Sequence, residues 1–145
     1  MYDYIQLLMI HTKHSIRVRY SETDSMKYVY YGNYATYFEV ARVELFRTLG
    51  MSYAEIEERG IWLPVADYKI KYLRPAFYDQ ELQIHTTIRT LPGVKILFEY
   101  EVYNPEGIKI TEASTTLFFL DAATGKVTRC PEFLLELMKP YFENL

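Results

Sequence analysis

The chain carries 145 residues, with 16 Lys and Arg against 19 Asp and Glu, for a formal charge of −3. This length fits a single domain, residues 1–145, whose core holds without disulfide or metal staples. The lack of a basic stripe argues against nucleic acid as a partner; the single Cys130 excludes an internal disulfide; and no run reaches the roughly 18 apolar residues of a membrane span.

Residues 1–13, opening "MYDYIQLLMI", lack the basic start and small-residue cleavage site of a secretion signal. They are expected to form either an extra strand or turn or an N-terminal extension, on a cytoplasmic protein. In "SIRVRY", residues 15–20, Ile16 and Val18 alternate with Arg17 and Arg19, the period of a half-exposed first strand. After "SETDS" the period changes. Tyr34, Phe38, Ala41, Leu45 and Leu49 recur at helical spacing, which predicts one long amphipathic helix with Asn33 as its N-cap and Gly50 as its stop. "SYAE", residues 52–55, has capping-box spacing and predicts a short helix running to Gly60.

Strands are expected at 62–73, 81–91, 94–103 and 108–120, separated by the turn signals "RPAFYD", "LPG" and "NPEG". A short strand at 126–128 and a terminal helix with Pro131 in its first turn complete the chain. In "KILFEYEV", Ile96, Phe98, Tyr100 and Val102 share one face, and Lys95, Glu99 and Glu101 the other. One side of the sheet is therefore buried. A long helix followed by strands joined through tight turns is an α+β arrangement. The 17% aromatic content, with 15 tyrosines, is rich for a monomer and predicts a homo-oligomer.

The stretch "RYSETDSMKYVYYGNYATYFEVAR", residues 19–42, sets Glu22 and Asp24 just ahead of an aromatic, helix-opening turn. It resembles the pattern "RY.ETD..G.VYY.NY..YFE.AR" of hotdog-fold thioesterases of the 4-hydroxybenzoyl-CoA thioesterase type, including the short acyl-CoA thioesterases associated with the bacterial Tol-Pal system. A second patch, "IKYLRPAFYDQELQIHTTI", is similar to the same family, and the resemblance covers about residues 14–142. It implies a curved antiparallel sheet wrapped around the long helix, and a dimer or tetramer with the active site at an interface near the helix start. It also implies that Asp24 is the catalytic carboxylate and that the backbone N–H of Tyr31 polarises the thioester carbonyl. One departure stands out: the family usually has Gly where this chain has Lys27. Either Lys27 bears a positive-φ penalty or it reaches a ligand phosphate.

Thioester hydrolysis needs a nucleophile or base, a donor for the developing oxyanion, and a dry acyl pocket. Asp24 fills the first role as nucleophile or general base, and open N–H groups around Tyr31 to Tyr34 fill the second. Tyr28, Tyr30, Asn33, Tyr34 and Lys27 are the candidates for substrate contact, with Tyr31 and Tyr37 also expected to line the acyl pocket. Glu22 is read as a turn or interface residue, and Glu39, expected to form an exposed or interface ion pair with Arg42, as a backup acid. Among the cations Lys69, Lys71, Arg74, Arg89 and Lys95, some are expected to meet the phosphates of coenzyme A. The expected substrate is a thioester of coenzyme A or of an acyl carrier protein, with neither metal nor redox cofactor. Two alternatives are a hotdog dehydratase or hydratase, whose His and acid pairing finds no His between Ser15 and Ile84, and a non-catalytic acyl-thioester-binding module.

Overall fold

In the computed structural model, which describes residues 8–143, seven antiparallel strands pack against one long helix. Strands β1 (Ile10–Arg17), β4 (Glu81–Ile88), β5 (Lys95–Tyr103) and β6 (Lys109–Asp121) pair in that order. β3 (Val65–Tyr72) lies along the other side of β6, and the two-residue β2 (Ile61–Trp62) and β7 (Val127–Thr128) pair with the C-terminal end of β6. The helices are α1 (Asn33–Leu49), α2 (Tyr53–Glu58) and α3 (Glu132–Met138). No helix among the described residues is long and apolar enough to cross a membrane.

The alternation of β5 builds the core. Ile96, Phe98, Tyr100 and Val102 are at most 2% exposed, and they face the buried α1 stripe of Tyr34, Phe38, Ala41, Leu45 and Leu49. Phe38 stacks on Tyr100 with ring centroids 4.3 Å apart, and Phe46 meets Phe98 edge-on at 6.0 Å. Such pairs contribute about 0.5–1.5 kcal/mol each beyond simple burial. Gly50, at φ 109°, ends α1 as its position predicts. The Ser52 side chain accepts the Glu55 N–H at the start of α2.

Five local expectations change. β1 begins at Ile10, so residues 10–13 of the expected extension belong to the sheet, and residues 1–7 lie outside the described residues. Thr12 and His14 take half-buried positions there, which hid the strand from a search for alternating apolar residues. At its other end the expected strand gives way to a 3-10 turn, Tyr20–Glu22. The stretch 62–73 is two strands, broken where Pro64 has no N–H to donate. Pro131 precedes α3 as its N-cap rather than standing in its first turn. Gly32, not Asn33, is the N-cap of α1. Asn33 is the first helical residue, and its side-chain amide donates to the Glu22 carbonyl at 2.8 Å.

Glu22 docks the connection between β1 and α1. Its carboxylate accepts from the Arg19 backbone N–H (2.8 Å), the Arg19 Nε–H (3.0 Å) and the Tyr37 hydroxyl (2.8 Å), and the residue is only 7% exposed. Its carbonyl takes the N–H of Tyr30 at 2.8 Å as well as the Asn33 amide. Burial pushes the Glu22 carboxyl up, but the bonds from Arg19 and Tyr37 and the Arg19 charge outweigh it and hold the group below the usual carboxylate range. Beyond Glu22, the Asp24 N–H donates to the Tyr28 carbonyl and the Lys27 N–H to the Asp24 carbonyl, closing a tight turn. Lys27 sits in that turn at φ 67°. The family's Gly position therefore does have left-handed backbone here, and Lys27 bears the strain.

Two outcomes follow for stability. Glu22→Gln is expected to cost about 1.5–3 kcal/mol at neutral pH, the range for hydrogen bonds to a charged group. Because folding lowers the Glu22 pKa below 4.5, its contribution is complete above that value and is lost as pH falls through the native pKa. In urea titrations the gap between wild type and Glu22→Gln should narrow in acid; a gap constant down to about pH 3 would contradict the role given to this carboxylate. Lys27→Gly should raise the urea midpoint, by up to about 1 kcal/mol in stability, through relief of the left-handed strain. A lowered midpoint would show that the Lys27 side chain stabilises the turn.

Candidate active site

The Asp24 turn, the start of α1 and the end of β3 enclose a cavity of about 320 Å³. Asp24 is half-buried at its wall. Its Oδ1 accepts the N–H groups of Met26 (2.9 Å) and Tyr28 (3.3 Å), so the local turn fixes the carboxylate through one oxygen. Oδ2 has no hydrogen-bond partner among the described residues. A carboxylate held by one atom and open at the other can serve as nucleophile or base.

The backbone at the helix start is equally divided. The Tyr30 N–H is taken by the Glu22 carbonyl, the Asn33 N–H by the Tyr30 carbonyl, and the Tyr34 N–H by the Tyr31 carbonyl at 3.3 Å. That leaves the N–H groups of Tyr31 and Gly32 without an acceptor among the described residues. The set of open donors, read from the sequence as Tyr31 to Tyr34, thus narrows to two adjacent groups at the positive end of the α1 dipole. A Cβ at Gly32 would lie 2.8 Å from the Tyr30 ring, so any larger residue there would have to displace that ring.

Of the residues expected at the site, Asp24, Tyr28, Tyr31 and Tyr34 line the cavity. Tyr30, Asn33, Lys27 and Tyr37 do not. The Tyr30 ring lies on that of Tyr31, with centroids 4.6 Å apart, Asn33 is engaged with Glu22, and Lys27 is exposed in its turn. Reading the sequence missed Met26, Tyr72 and Leu73 in the lining. Tyr72 was legible in principle, since it follows Tyr68 and Ile70 at the strand period of two. Its hydroxyl donates to the Tyr31 carbonyl at 3.3 Å and ties the end of β3 to the helix start. Burial pushes the hydroxyls of Tyr34 and Tyr72 above their usual range, so both stay neutral near pH 7. Among the cations singled out, Arg74 lines this cavity, whereas Lys69, Lys71 and Arg89 border a depression formed with Glu99, Glu101 and Glu112.

Glu39 and Arg42 do not pair as expected. Glu39 is exposed on α1, while Arg42 turns inward to donate to the Tyr100 hydroxyl at 3.0 Å. His11 and His85 stack edge-on, with centroids 5.3 Å apart, on strands β1 and β4, and neither lines the cavity. Cys130 is buried, and desolvation pushes its thiol up to about 12, too high for a thiolate at neutral pH.

A family model described as the thioesterase-like superfamily matches residues 18–138. The chain is 36% identical over 115 residues to a putative acyl-CoA thioesterase, YneP, of Bacillus subtilis, covering 79% of this chain and 83% of that protein. It is 27% identical over 124 residues to the acyl-CoA thioester hydrolase YbgC of Escherichia coli, covering 86% and 92% of the two chains. Among solved structures, a DHNA-CoA thioesterase from Staphylococcus aureus superimposes with a TM-score of 0.84 at 34% identity, over 90% of this chain and 88% of that one. The sheet and helix are the hotdog fold, and the chain belongs to the thioesterase-like superfamily.

Proposed function

We propose that this protein hydrolyses acyl-CoA thioesters to a carboxylic acid and coenzyme A, with Asp24 as the reacting carboxylate. The observation that carries the reading is the juxtaposition of Asp24, fixed through Oδ1 alone, with the open N–H groups of Tyr31 and Gly32 around a tyrosine-lined cavity. The names borne by the B. subtilis and E. coli relatives support the choice of coenzyme A as carrier. Acyl carrier protein is the second carrier to assay.

In this reading the thioester carbonyl oxygen is received by the Tyr31 and Gly32 N–H groups, which stabilise it as charge develops. Asp24 Oδ2 then acts in one of two ways. As general base it takes a proton from a water whose oxygen adds to the carbonyl carbon, and the C–S bond breaks to release the thiolate. As nucleophile it adds to that carbon itself, expelling the thiolate to leave a mixed anhydride that water cleaves. Both routes end in acid and thiol, and both consist of a carboxylate, two N–H donors and water, so the proposal carries no cofactor beyond the coenzyme A of the substrate. Tyr28, Tyr31, Tyr34 and Tyr72 shape an apolar acyl site suited to aromatic or aliphatic groups. Arg74 supplies a cation at the same cavity for a phosphate of the carrier. No histidine is among its lining residues, which counts against the dehydratase reading. The protein works in this proposal as a homo-oligomer, dimer or tetramer, because β3 pairs with β6 on one side only and its outer edge is open among the described residues.

The test is turnover of a thioester panel at saturating substrate with a thiol-trapping reagent. Asp24→Asn should keep the fold, since the amide still accepts from the turn N–H groups, while kcat falls by about 10² to 10⁴. Glu39→Gln, assayed where assembly is complete, should fall by less than about tenfold. A dead Glu39→Gln beside an active Asp24→Asn would move the chemistry to the helix carboxylate, and full activity in both would remove the carboxylate mechanism.

A further inference from the structure

We infer that Arg42 is half of an ion pair that a second copy of this chain completes with its Glu39; the inference rests on the assembly reading given above.

Arg42 is 7% exposed, yet its hydrogen bonds among the described residues run through Nη1 to neutral oxygens, the Tyr100 hydroxyl at 3.0 Å and Thr115 Oγ1 at 3.5 Å. Its Nε–H is buried with no acceptor. A buried cation left without an anion is strongly destabilising. Nη2 makes no hydrogen bond among the described residues and, unlike Nε, is not sealed from the surface, so it is the face of the guanidinium open to an incoming carboxylate. Arg42 is thus charged, desolvated and shaped for an acid that its own chain does not place within 4 Å among the described residues.

Beside it lies a cavity of about 270 Å³ walled by Ala35, Thr36 and Glu39 of α1 and by Val65 and Tyr68 of β3. The wall is unusually open for its composition, with Val65 49% and Tyr68 38% exposed. Glu39, three residues from Arg42 on the same helix, is exposed and has no cation within 4 Å among the described residues. One surface therefore carries an unmatched acid and an unmatched base next to an unpaired strand edge.

A two-fold axis resolves all three features together. In an isologous contact residue i meets j and j meets i, so two α1 helices laid antiparallel bring Glu39 of each copy to Arg42 of the other. The same axis lets the two β3 edges pair antiparallel and continue the sheet. A foreign partner would have to supply both an acid and a base in this spacing as well as a strand edge. The charge pattern and the edge together favour a second copy of the chain.

Light scattering first sets the wild-type state, where a monomer at micromolar concentration would overturn the assembly reading and the pair with it. If the wild type associates, the variants test the pair alone. Glu39→Arg sets two cations against each other across the axis, and Arg42→Glu sets two acids. Each should raise the dissociation constant at least about tenfold. Mixing the two variants in equal amounts should restore wild-type mass, because each copy then offers the charge that the other lacks. No recovery on mixing, or association of both variants as tight as wild type, would overturn the pair while leaving assembly intact. Should circular dichroism show Arg42→Glu unfolded, Arg42→Gln takes its place: Glu39→Arg should weaken association in the wild-type background and not in the Arg42→Gln background, and equal weakening in both would overturn the inference.

Discussion

One buried carboxylate sets the geometry on which the candidate site depends. Glu22 gathers two bonds from Arg19 and one from Tyr37 on its side chain, and its carbonyl gathers Tyr30 and Asn33. Tyr37 lies fully buried on α1, so the acid end of the loop is fastened to the core of the helix rather than to a surface turn. Burial, and then the Glu22 bond, push the Tyr37 hydroxyl far above its usual range, which keeps it a donor at any physiological pH. Glu22 and Asp24, two residues apart, thus divide the work: the first is saturated and structural, and the second keeps an oxygen free.

The same division runs through the backbone. Glu22 consumes the Tyr30 N–H, the short turns consume those of Asn33 and Tyr34, and what remains open is the pair at Tyr31 and Gly32. An oxyanion site made this way costs no reorganisation when charge develops, because its donors are already fixed by neighbouring bonds. Strain is tolerated close by. Lys27 holds left-handed backbone one residue ahead of Tyr28, whose N–H and carbonyl both bond to Asp24.

The helix, the strands and their buried faces could be read from periodicity, because α1 and β5 each bury one regular face, Tyr34 to Leu49 and Ile96 to Val102, whereas the sheet wrapped around the helix was implied by the resemblance. Asp24 and Tyr31 were identified through the motif's resemblance to a family rather than through spacing. What stayed hidden was everything decided by a partner distant in sequence. Half-buried Thr12 and His14 gave no apolar signal for the start of β1. Asn33 looked like a cap because capping is local, whereas its actual acceptor lies 11 residues upstream. The spacing of Glu39 and Arg42 suggested an exposed or interface ion pair, but it cannot show that Tyr100, 58 residues away, draws Arg42 inward. Pro64 split a strand whose hydrophobic pattern ran on without interruption.

In the proposed complex the thioester carbonyl sits between the Asp24 carboxylate and the Tyr31 and Gly32 N–H groups. The most direct measurement is a crystal structure of Asp24→Asn soaked with an intact acyl-CoA that the wild type turns over. The carbonyl oxygen is expected at roughly 2.7–3.1 Å from one or both of those nitrogens, with the substituted side chain facing the carbonyl carbon. A thioester bound with its carbonyl remote from both nitrogens, for example beside Glu39, would contradict it.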